Sequence, residues 1–139
     1  MANLVFKSRS PDYVDLDLDF LKKRDDTGEY YIKITKTGEE AIKRSIRNLI
    51  FTNYYERPFQ SYIGSGVRQM LFENANPLTA TFLENAIKDV INKFEPRVSV
   101  LKVNVTVDLD RNGFNAELQY VIKNREQPVI TSIFLERVR

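Results

Sequence analysis

A hairpin near the C-terminus constrains the fold more than any other feature of this sequence. Apolar and polar residues alternate on both sides of Asn112-Gly113, a dipeptide typical of a tight turn between antiparallel strands. Alternation places every second side chain on the same side of a strand, so one face of this hairpin is predicted to be buried. The residues of that inner face are Leu101, Val103, Val105, Val107 and Leu109 before the turn, and Phe114, Ala116, Leu118, Tyr120 and Ile122 after it.

The turn also predicts a register and a third strand. If the Asn-Gly dipeptide forms a two-residue loop, Val107 lies opposite Leu118 and Val103 lies opposite Ile122. A further alternating run, "QPVITSIFLERV", follows the second strand, so a three-stranded antiparallel meander is expected. Its predicted strands span 99–109, 114–123 and 128–137.

The last strand differs from the others because both of its faces are apolar. A meander that packs helices on one side needs only one apolar face. Either the N-terminal segment 13–20 covers the second face, or a partner protein does. The partner explanation makes Ile130 and Phe134 candidate binding residues at a sheet edge, where free backbone groups recruit further strands. The two sets are Val129, Ile133 and Leu135 on one face and Ile130, Phe134 and Val138 on the other.

Two main helices are predicted to pack on one face of this sheet. The first spans 39–51; the second spans 77–94, with Asn76 as its N-cap. The second helix is expected to end near Phe94, because Pro96 disfavours a helical conformation at Glu95. The apolar stripes are Ile42, Ile46, Leu49 and Ile50 in the first helix, and Phe82, Leu83, Ala86, Ile87, Val90, Ile91 and Phe94 in the second. A short helix with Val67, Met70 and Leu71 facing inward is predicted between them.

These elements predict a single α+β domain over residues 1–139. It comprises an N-terminal extended segment at 1–36 and a core at 37–139. A chain of 139 residues is long enough to bury such a core. Three alternating aspartates in the segment lack the glycine and glutamate spacing of a calcium loop, because the sixth and twelfth positions counted from Asp15 hold Phe20 and Asp26. No metal site is predicted.

Composition narrows the possible functions. The chain has no cysteine, so disulfides and thiolate chemistry are excluded. It also has no histidine, which is both the commonest general base and the commonest metal ligand. Its 21 basic and 19 acidic side chains leave a net charge of +2, too small for a general polyanion-binding field. No apolar run has the length of a membrane span. We therefore predict no enzymatic activity, no cofactor, no nucleic-acid partner and no membrane partner.

Two other classes of function compete with a structural role. A lysozyme-like glycosidase of a phage tail is the alternative, since such an enzyme needs two carboxyl groups on either side of a cleft. A nucleic-acid binder would need a basic surface with aromatic residues. The candidates are Glu56, Glu73 and Glu95 for the first class, and Lys43, Arg44, Arg47, Tyr54 and Tyr55 for the second. No catalytic residue is assigned, because no further feature of the sequence marks a cleft.

Three motifs point to a particular family. They are "ERPF" at 56–59, "LFENANPLTA" at 71–80 and "FEPRVSVLKVNV" at 94–105, in this order. Together they resemble the small baseplate wedge subunit of contractile-tailed bacteriophages, a family related to a baseplate component of type VI secretion systems. The Glu-Pro-Arg triplet is the hallmark of that family. The resemblance covers about residues 40–125, and Glu56 stands where family members often have glycine.

The resemblance implies a structural, late-expressed virion protein of the viral baseplate. It would lie in the inner baseplate beside the tail tube after assembly in the host cytoplasm. The expected partners are the core bundle built by larger wedge proteins, the tail sheath subunit and the tail tube. The family fold is similar to the part of the sheath subunit that links neighbours by strand exchange. It is therefore expected to initiate the sheath by templating its polymerisation during phage tail assembly.

The same resemblance assigns candidate partner-binding residues. Glu95, Pro96 and Arg97, here called the charged joint, would contact the core bundle, and Arg57 belongs to the first motif. Arginine suits bidentate pairing at interfaces, and the fixed proline presets the directions of both charges. The alternative is an internal clamp that ties down the loop at 52–66. Composition favours the clamp, and the resemblance shifts the interpretation to a mixed role.

Overall fold

The computed structural model describes residues 14–16, 22–24, 26–32, 35–123 and 125–137. Within the chain, two compact units are distinguished, Met1–Arg44 and Ser45–Arg139. Helix α1, Gly38–Phe51, contains the border between them. The single domain expected over 1–139, with its division at residue 36, stays a prediction.

Two small antiparallel strand pairs lie in the described residues of the first unit. Its strands are β1 Val14–Leu16, β2 Lys22–Arg24, β3 Tyr30–Ile32 and β4 Thr35–Thr37. β1 pairs with β4 and β2 pairs with β3, so part of the segment predicted to be extended forms ladders. The side chains of Val14 and Leu16 are exposed. The other residues of the predicted alternation, at 17–20, lie outside the described residues.

The second unit holds the predicted meander. After α1 come α2 Val67–Met70, α3 Pro77–Phe94, β5 Val98–Asp108, β6 Gly113–Ile122 and β7 Pro128–Glu136. The three strands are antiparallel in the order β5-β6-β7. α1 and α3 pack on one face of this sheet, and α3 lies against β5. The α+β fold class, the two main helices and the short helix are confirmed.

One face of the central strand forms the middle of the core. Every second side chain of β6 is at most 1% exposed, because the helices cover this face of the sheet. The inner residues of β7 continue the same surface. The buried residues are Phe114, Ala116, Leu118, Tyr120 and Ile122 in β6, and Ile133 and Leu135 in β7. The predicted inner face of the second strand is therefore confirmed.

The predicted hairpin register is wrong, although the faces are right. Val107 pairs with Phe114 and Val103 pairs with Leu118, so the loop contains residues 109–112. The carboxylate of Asp108 accepts a hydrogen bond from the backbone N–H of Arg111 at 3.0 Å, which stabilises this longer turn. The observed partners differ from the predicted ones by four positions. An even shift leaves each side chain on its face of the sheet.

A β-bulge near the start of β5 overturns a second prediction. The register shifts between Val100 and Lys102, so Leu101 is the extra residue. It is 58% exposed rather than buried, and Val98 and Val100 take the inner positions opposite β6 instead. Leu109 is also exposed, because it belongs to the turn and not to the strand. The expectation that both leucines face inward was therefore wrong.

Helix α3 begins and ends where its capping residues predict. The side-chain oxygen of Asn76 accepts a hydrogen bond from the N–H of Thr79 at 2.7 Å. The helix ends at Phe94, and Glu95 adopts a non-helical conformation before the proline. The apolar stripe is narrower than predicted. Phe82, assigned to it, is 53% exposed, whereas Leu83 and Ile87 are fully buried.

Candidate partner-binding site

The charged joint connects α3 to β5 through a buried ion pair. Glu95 is only 2% exposed. Its two carboxylate oxygens accept hydrogen bonds from Nε and Nη2 of Arg97, each at 2.7 Å. This is the bidentate geometry in which a guanidinium and a carboxylate interact most strongly. Pro96 lies exposed between the two charged residues, so the joint has a buried polar interior and an apolar surface.

A third side chain extends the joint to α1. The hydroxyl of Ser45 donates to the second oxygen of Glu95 at 2.6 Å. The backbone carbonyl of Arg97 accepts from the N–H of Lys123, just after β6, at 2.8 Å. The joint therefore ties together the second half of α1, the end of α3 and two strands of the sheet. This is an internal clamp, and it fastens α1 and the sheet.

The electrostatics of Glu95 follow from these contacts. Burial raises the pKa of this carboxyl group. The hydrogen bonds from Arg97 and Ser45, together with the positive charge of Arg97, outweigh that effect and hold the pKa below its ordinary value. Glu95 is thus an ionised, fully engaged carboxylate at neutral pH. The acid of a glycosidase needs the opposite shift, because it must carry a proton when the substrate binds.

The loop at 52–66, here called the aromatic loop, has a defined closed conformation. Asn53 and Ser65 form a parallel bridge at its base, and the N–H of Tyr55 donates to the carbonyl of Ser61 at 2.8 Å. The carboxylate of Glu56 accepts from the N–H of Asn53 at 2.8 Å, so the residue that departs from the family pattern supports the loop. A Cβ atom at Gly64 would lie 2.6 Å from the Asn53 backbone, so this approach requires glycine.

This loop displays aromatic side chains to the solvent. Tyr55 and Phe59 are 85% and 105% exposed, with positive φ angles of 67° and 66°. Left-handed backbone is uncommon for bulky residues, and such strain concentrates at functional sites. Arg57 and Pro58 lie exposed between them. The exposed aromatic residues of the loop are Tyr54, Tyr55, Phe59 and Tyr62.

The aromatic loop and the charged joint are neighbours. The rings of Tyr62 and Phe94 have centroids 6.3 Å apart. Tyr54, Lys93 and Phe94 line a shallow groove together with Asp89, Val90 and Asn92. A partner that binds the charged joint could therefore also contact the aromatic loop. The sequence alone identified this loop only as a segment that the joint could tie down, and it did not assign Phe59 or Tyr62. Phe59 has a left-handed backbone conformation, which the sequence does not indicate.

The candidate residues of the last strand form a separate surface. Among the described residues β7 is the last strand of the sheet, and Ile130 on its outer face is 57% exposed. Phe134 is half-buried. The guanidinium of Arg111 lies 4.0 Å from the centroid of its ring. The ring also packs on Gly113, where a Cβ atom would lie 2.7 Å from it. β1 of the N-terminal segment pairs with β4, while residues 13 and 17–20 and Val138 lie outside the described residues.

Neither metal ligation nor membrane insertion has a counterpart in the part of the chain that the structure describes. No three acidic, histidine or cysteine side chains there lie close enough together to hold a metal ion. None of the described helices combines the length and the apolar character that a bilayer crossing needs.

The fold of this chain is shared with two solved structures. A crystal structure from Geobacter sulfurreducens, of a protein named as a tail lysozyme, matches 70% of this chain and 91% of that chain with a TM-score of 0.61 and 24% identity. A cryo-EM structure of the anti-feeding prophage baseplate matches 92% and 88%, with a TM-score of 0.57 and 17% identity. At these identities the likeness shows the shared fold alone.

Sequence comparison then identifies the family. Residues 36–127 match the family described as Baseplate wedge protein gp25. The baseplate wedge protein gp25 of Enterobacteria phage T4 is 34% identical over 85 residues, which are 61% of this chain and 64% of that protein. The chain therefore belongs to the gp25 family of baseplate wedge proteins, as its three motifs predicted. The match spans less than two thirds of the T4 protein's length.

Proposed function

We propose that this protein is a structural component of the inner baseplate of a contractile tail. There it binds the core bundle of the larger wedge proteins and templates polymerisation of the sheath beside the tail tube. Membership of the gp25 family supports the baseplate role. The observation that carries the finer proposal is the edge strand β7, which has apolar side chains on both faces and an exposed Ile130.

The charged joint has a mixed role in this proposal. Glu95 and Arg97 satisfy each other inside the protein, so their first effect is to hold Pro96 and the neighbouring aromatic loop in fixed positions. The Arg97 side chain remains 22% exposed and can reach a partner with its outer edge. Arg57 lies exposed on the aromatic loop. The wedge contact would consist of Pro96, these two arginines and the exposed aromatic rings, a residue set typical of interface hot spots.

A pair of variants separates the clamp from the contact. Arg97→Ala leaves the Glu95 carboxylate buried without its cation, so both the melting temperature and co-purification with wedge proteins should fall. Replacing both partners, as Glu95→Gln with Arg97→Gln, removes the charges without leaving one unpaired. This double variant should keep most of the stability and still lose co-purification. If it captures the wedge proteins as well as the wild type does, the joint is an internal clamp only.

The outer edge of β7, which pairs with no strand among the described residues, is the proposed sheath-binding surface. A sheath subunit would add a strand to this edge, with main-chain hydrogen bonds for affinity and alternate side chains for specificity. Ile130 and Phe134 would become fully buried only in the assembly. Phe134 is already restrained by Arg111, so little conformational entropy would be lost when it docks.

The test is sheath growth on purified baseplates that contain Ile130→Ser with Phe134→Ser. We expect sheath polymerisation to fail while the baseplates still assemble. The matched control is Lys102→Ser with Asn104→Ser, two exposed positions on β5, which should leave sheath growth unchanged. Normal sheath growth from the double variant on β7 would rule out this surface as the template.

The structural role is preferred to the glycosidase because of the state of Glu95. Its lowered pKa and three side-chain hydrogen bonds suit a fixed counter-ion. Glu56 is exposed and bonded to the backbone of its own loop, and Glu73 is exposed. We expect the purified protein to leave a peptidoglycan suspension turbid and to cause no salt-dependent DNA mobility shift. Clearing of the suspension would favour the enzymatic alternative.

A further inference from the structure

An open groove lies at the C-terminal end of β7. Most of its lining residues have no role in the proposed function. Its volume is about 830 Å³. Three of its residues are apolar, and residues from α1, α2, the β5–β6 turn and β7 meet there. The lining residues are Phe51, Arg68, Leu71, Asn112, Phe134, Glu136 and Arg137. We call it the arginine groove.

Positive charge is concentrated in and around this groove. Arg68 and Arg137 line it directly. The two phenylalanine rings of the lining each carry a further arginine: Arg111 lies 4.0 Å from the ring centroid of Phe134, and Arg47 lies 5.5 Å from that of Phe51. Glu136 is the acidic residue of the lining. A concave surface with apolar walls and excess positive charge focuses the potential and attracts a negatively charged group.

The hydrogen bonding of Arg137 is incomplete. Its Nη2 donates to the side-chain oxygen of Asn74 at 3.3 Å, and its backbone N–H donates to the carbonyl of Asn112 at 3.1 Å. These bonds fix the residue against the rest of the unit. Its Nε is buried and has no acceptor among the described residues. Buried donors of this kind are uncommon in folded proteins, and a carboxylate is the acceptor that fits a guanidinium best.

The position of the groove indicates what brings the carboxylate. Phe134, Glu136 and Arg137 belong to the end of β7 or directly follow it, and β7 is the last strand of the sheet in the part of the chain that the structure describes. A strand that pairs along this edge passes the groove, and its side chains enter pockets at alternate positions. An aspartate or glutamate of that strand would meet Arg68 and Arg137. An apolar neighbour would pack on Phe51 and Leu71.

We propose that the arginine groove binds a carboxylate side chain of the strand that adds to β7, and that this contact sets the register of strand addition. The inference rests on the proposed function, because it names the chemistry of the strand that the free edge would receive. Main-chain pairing alone tolerates slippage along the edge. A single charged contact at one end of the strand would fix one alignment.

Carbodiimide coupling on assembled particles tests this contact. The reagent joins a carboxylate to an amine that touches it, and arginine does not react. Arg137→Lys and Arg68→Lys each place an amine in the groove while keeping the charge. Mass spectrometry should find the lysine at position 137 or 68 joined to an acidic residue of the sheath subunit. Wild-type particles, with arginine at both positions, are the control for coupling elsewhere.

A second measurement supplies the functional effect. Baseplates with Arg68→Gln and Arg137→Gln should initiate sheath growth about tenfold more slowly at physiological salt, which corresponds to the loss of one charged contact. Isolated protein with the same substitutions should unfold at nearly the wild-type temperature. Unchanged initiation by this variant would overturn the inference, as would coupling only to another baseplate protein or no coupling at either position.

The β7 variants distinguish the two levels of the argument. If Ile130→Ser, a substitution outside the groove lining, blocks sheath growth while Arg68→Lys and Arg137→Lys particles with an otherwise intact β7 give no coupled product, strand addition stands and the arginine groove plays no part in it. If sheath growth is normal both with Ile130→Ser and with Ile130→Ser plus Phe134→Ser, the proposed template itself is wrong, and coupling to the sheath subunit would then have to reflect a different surface.

Discussion

The two edges of the β5-β6-β7 sheet differ in how far the rest of the protein covers them. At β5, helix α3 packs on the strand, and the carboxylate of Glu84 accepts a hydrogen bond from the N–H of Val105 at 2.8 Å. The bulge at Leu101 further disrupts that edge for pairing. At β7, the sheet order of the described residues ends, and Ile130 is exposed on the outer face. We call these the closed edge and the open edge.

In the proposed function, the closed edge contributes to folding and the open edge contributes to assembly. On the closed side, charged groups form hydrogen bonds within the protein. Glu84 accepts from the backbone of β5, and Glu95 accepts from Arg97 and Ser45. On the open side, arginines stack on aromatic rings at the surface. Substitutions on the closed side should therefore change the free energy of unfolding. Substitutions on the open side should change assembly and leave that free energy nearly unaltered.

The largest effect is expected from Glu95→Ala. The substitution removes the acceptor of Ser45 and leaves the largely buried Arg97 guanidinium without its counter-ion. Breaking a buried pair by removing one partner costs about 3–5 kcal/mol. Denaturant unfolding of the isolated protein measures the loss.

The control for Glu95→Ala is an ion pair with a similar N–O distance whose side chains are more exposed to solvent. Glu39 and Lys43 lie 2.6 Å apart one helical turn from each other, and both side chains are more than one third exposed. Glu39→Ala should cost about 0.3–0.5 kcal/mol, because water screens the pair. Similar losses for the two alanine variants would contradict the assignment of Glu95 to an internal clamp.

Opening the closed edge gives the next largest effect. Glu84→Ala removes the acceptor of the Val105 N–H, and an unsatisfied buried donor costs about 1–3 kcal/mol. Glu84→Gln keeps a side-chain oxygen in place and should recover most of that loss. The alanine variant should also self-associate at high concentration, since β5 then offers a free backbone group, and sedimentation velocity would detect the larger species. A monomeric alanine variant of wild-type stability would show that α3 alone closes this edge.

A pH dependence of stability follows from the lowered pKa of Glu95. The folded-state pKa lies below the ordinary value of 4.5, so the folded state favours the ionised form. This contribution to stability is fully present above the unfolded-state pKa and is lost as the pH falls through the folded-state pKa. Unfolding measured from neutral pH downwards should show a steeper acid loss for the wild type than for Glu95→Gln. Parallel profiles would assign the acid loss to other carboxyl groups.

Local signals were enough to predict the elements of the second unit. Asn76 and Pro96 mark the ends of α3 through capping and steric exclusion, and the structure has α3 at Pro77–Phe94. Alternation located the three strands to within a few residues. The register was different because the Asp108 side chain stabilises a longer turn, a choice that the Asn-Gly dipeptide does not determine. The bulge coincides with a break in the alternation, because Val100 and Leu101 are adjacent apolar residues, but the pattern does not determine which of the two faces inward.

The candidate site was predictable only where its residues are adjacent in sequence. The ion pair of Glu95 and Arg97 is local, so a clamp was among the expectations. Its third member is not local, because Ser45 is 50 positions away and serine in a helix carries no signal of its own. The open edge was visible in the two apolar faces of β7. The arginine groove was not, because α1, α2 and β7 supply its residues from distant parts of the chain.

The smallest effect on folding is expected from Ile130→Ala, and Ile133→Ala on the inner face of the same strand is its matched comparison. The two isoleucines lie on one strand and differ in the face that they occupy: Ile130 is 57% exposed, whereas Ile133 is 4% exposed against the core. Ile133→Ala should cost about 2–5 kcal/mol through lost burial and a cavity, and Ile130→Ala should stay within about 0.5 kcal/mol. Chemical denaturation of the isolated protein measures both. In assembled baseplates the order should reverse, because Ile130→Ala should slow sheath initiation while any folded Ile133→Ala protein still presents the outer face. Equal losses of unfolding free energy in the isolated protein would mean that the chain itself buries the outer face of β7. Both edges of the sheet would then be closed.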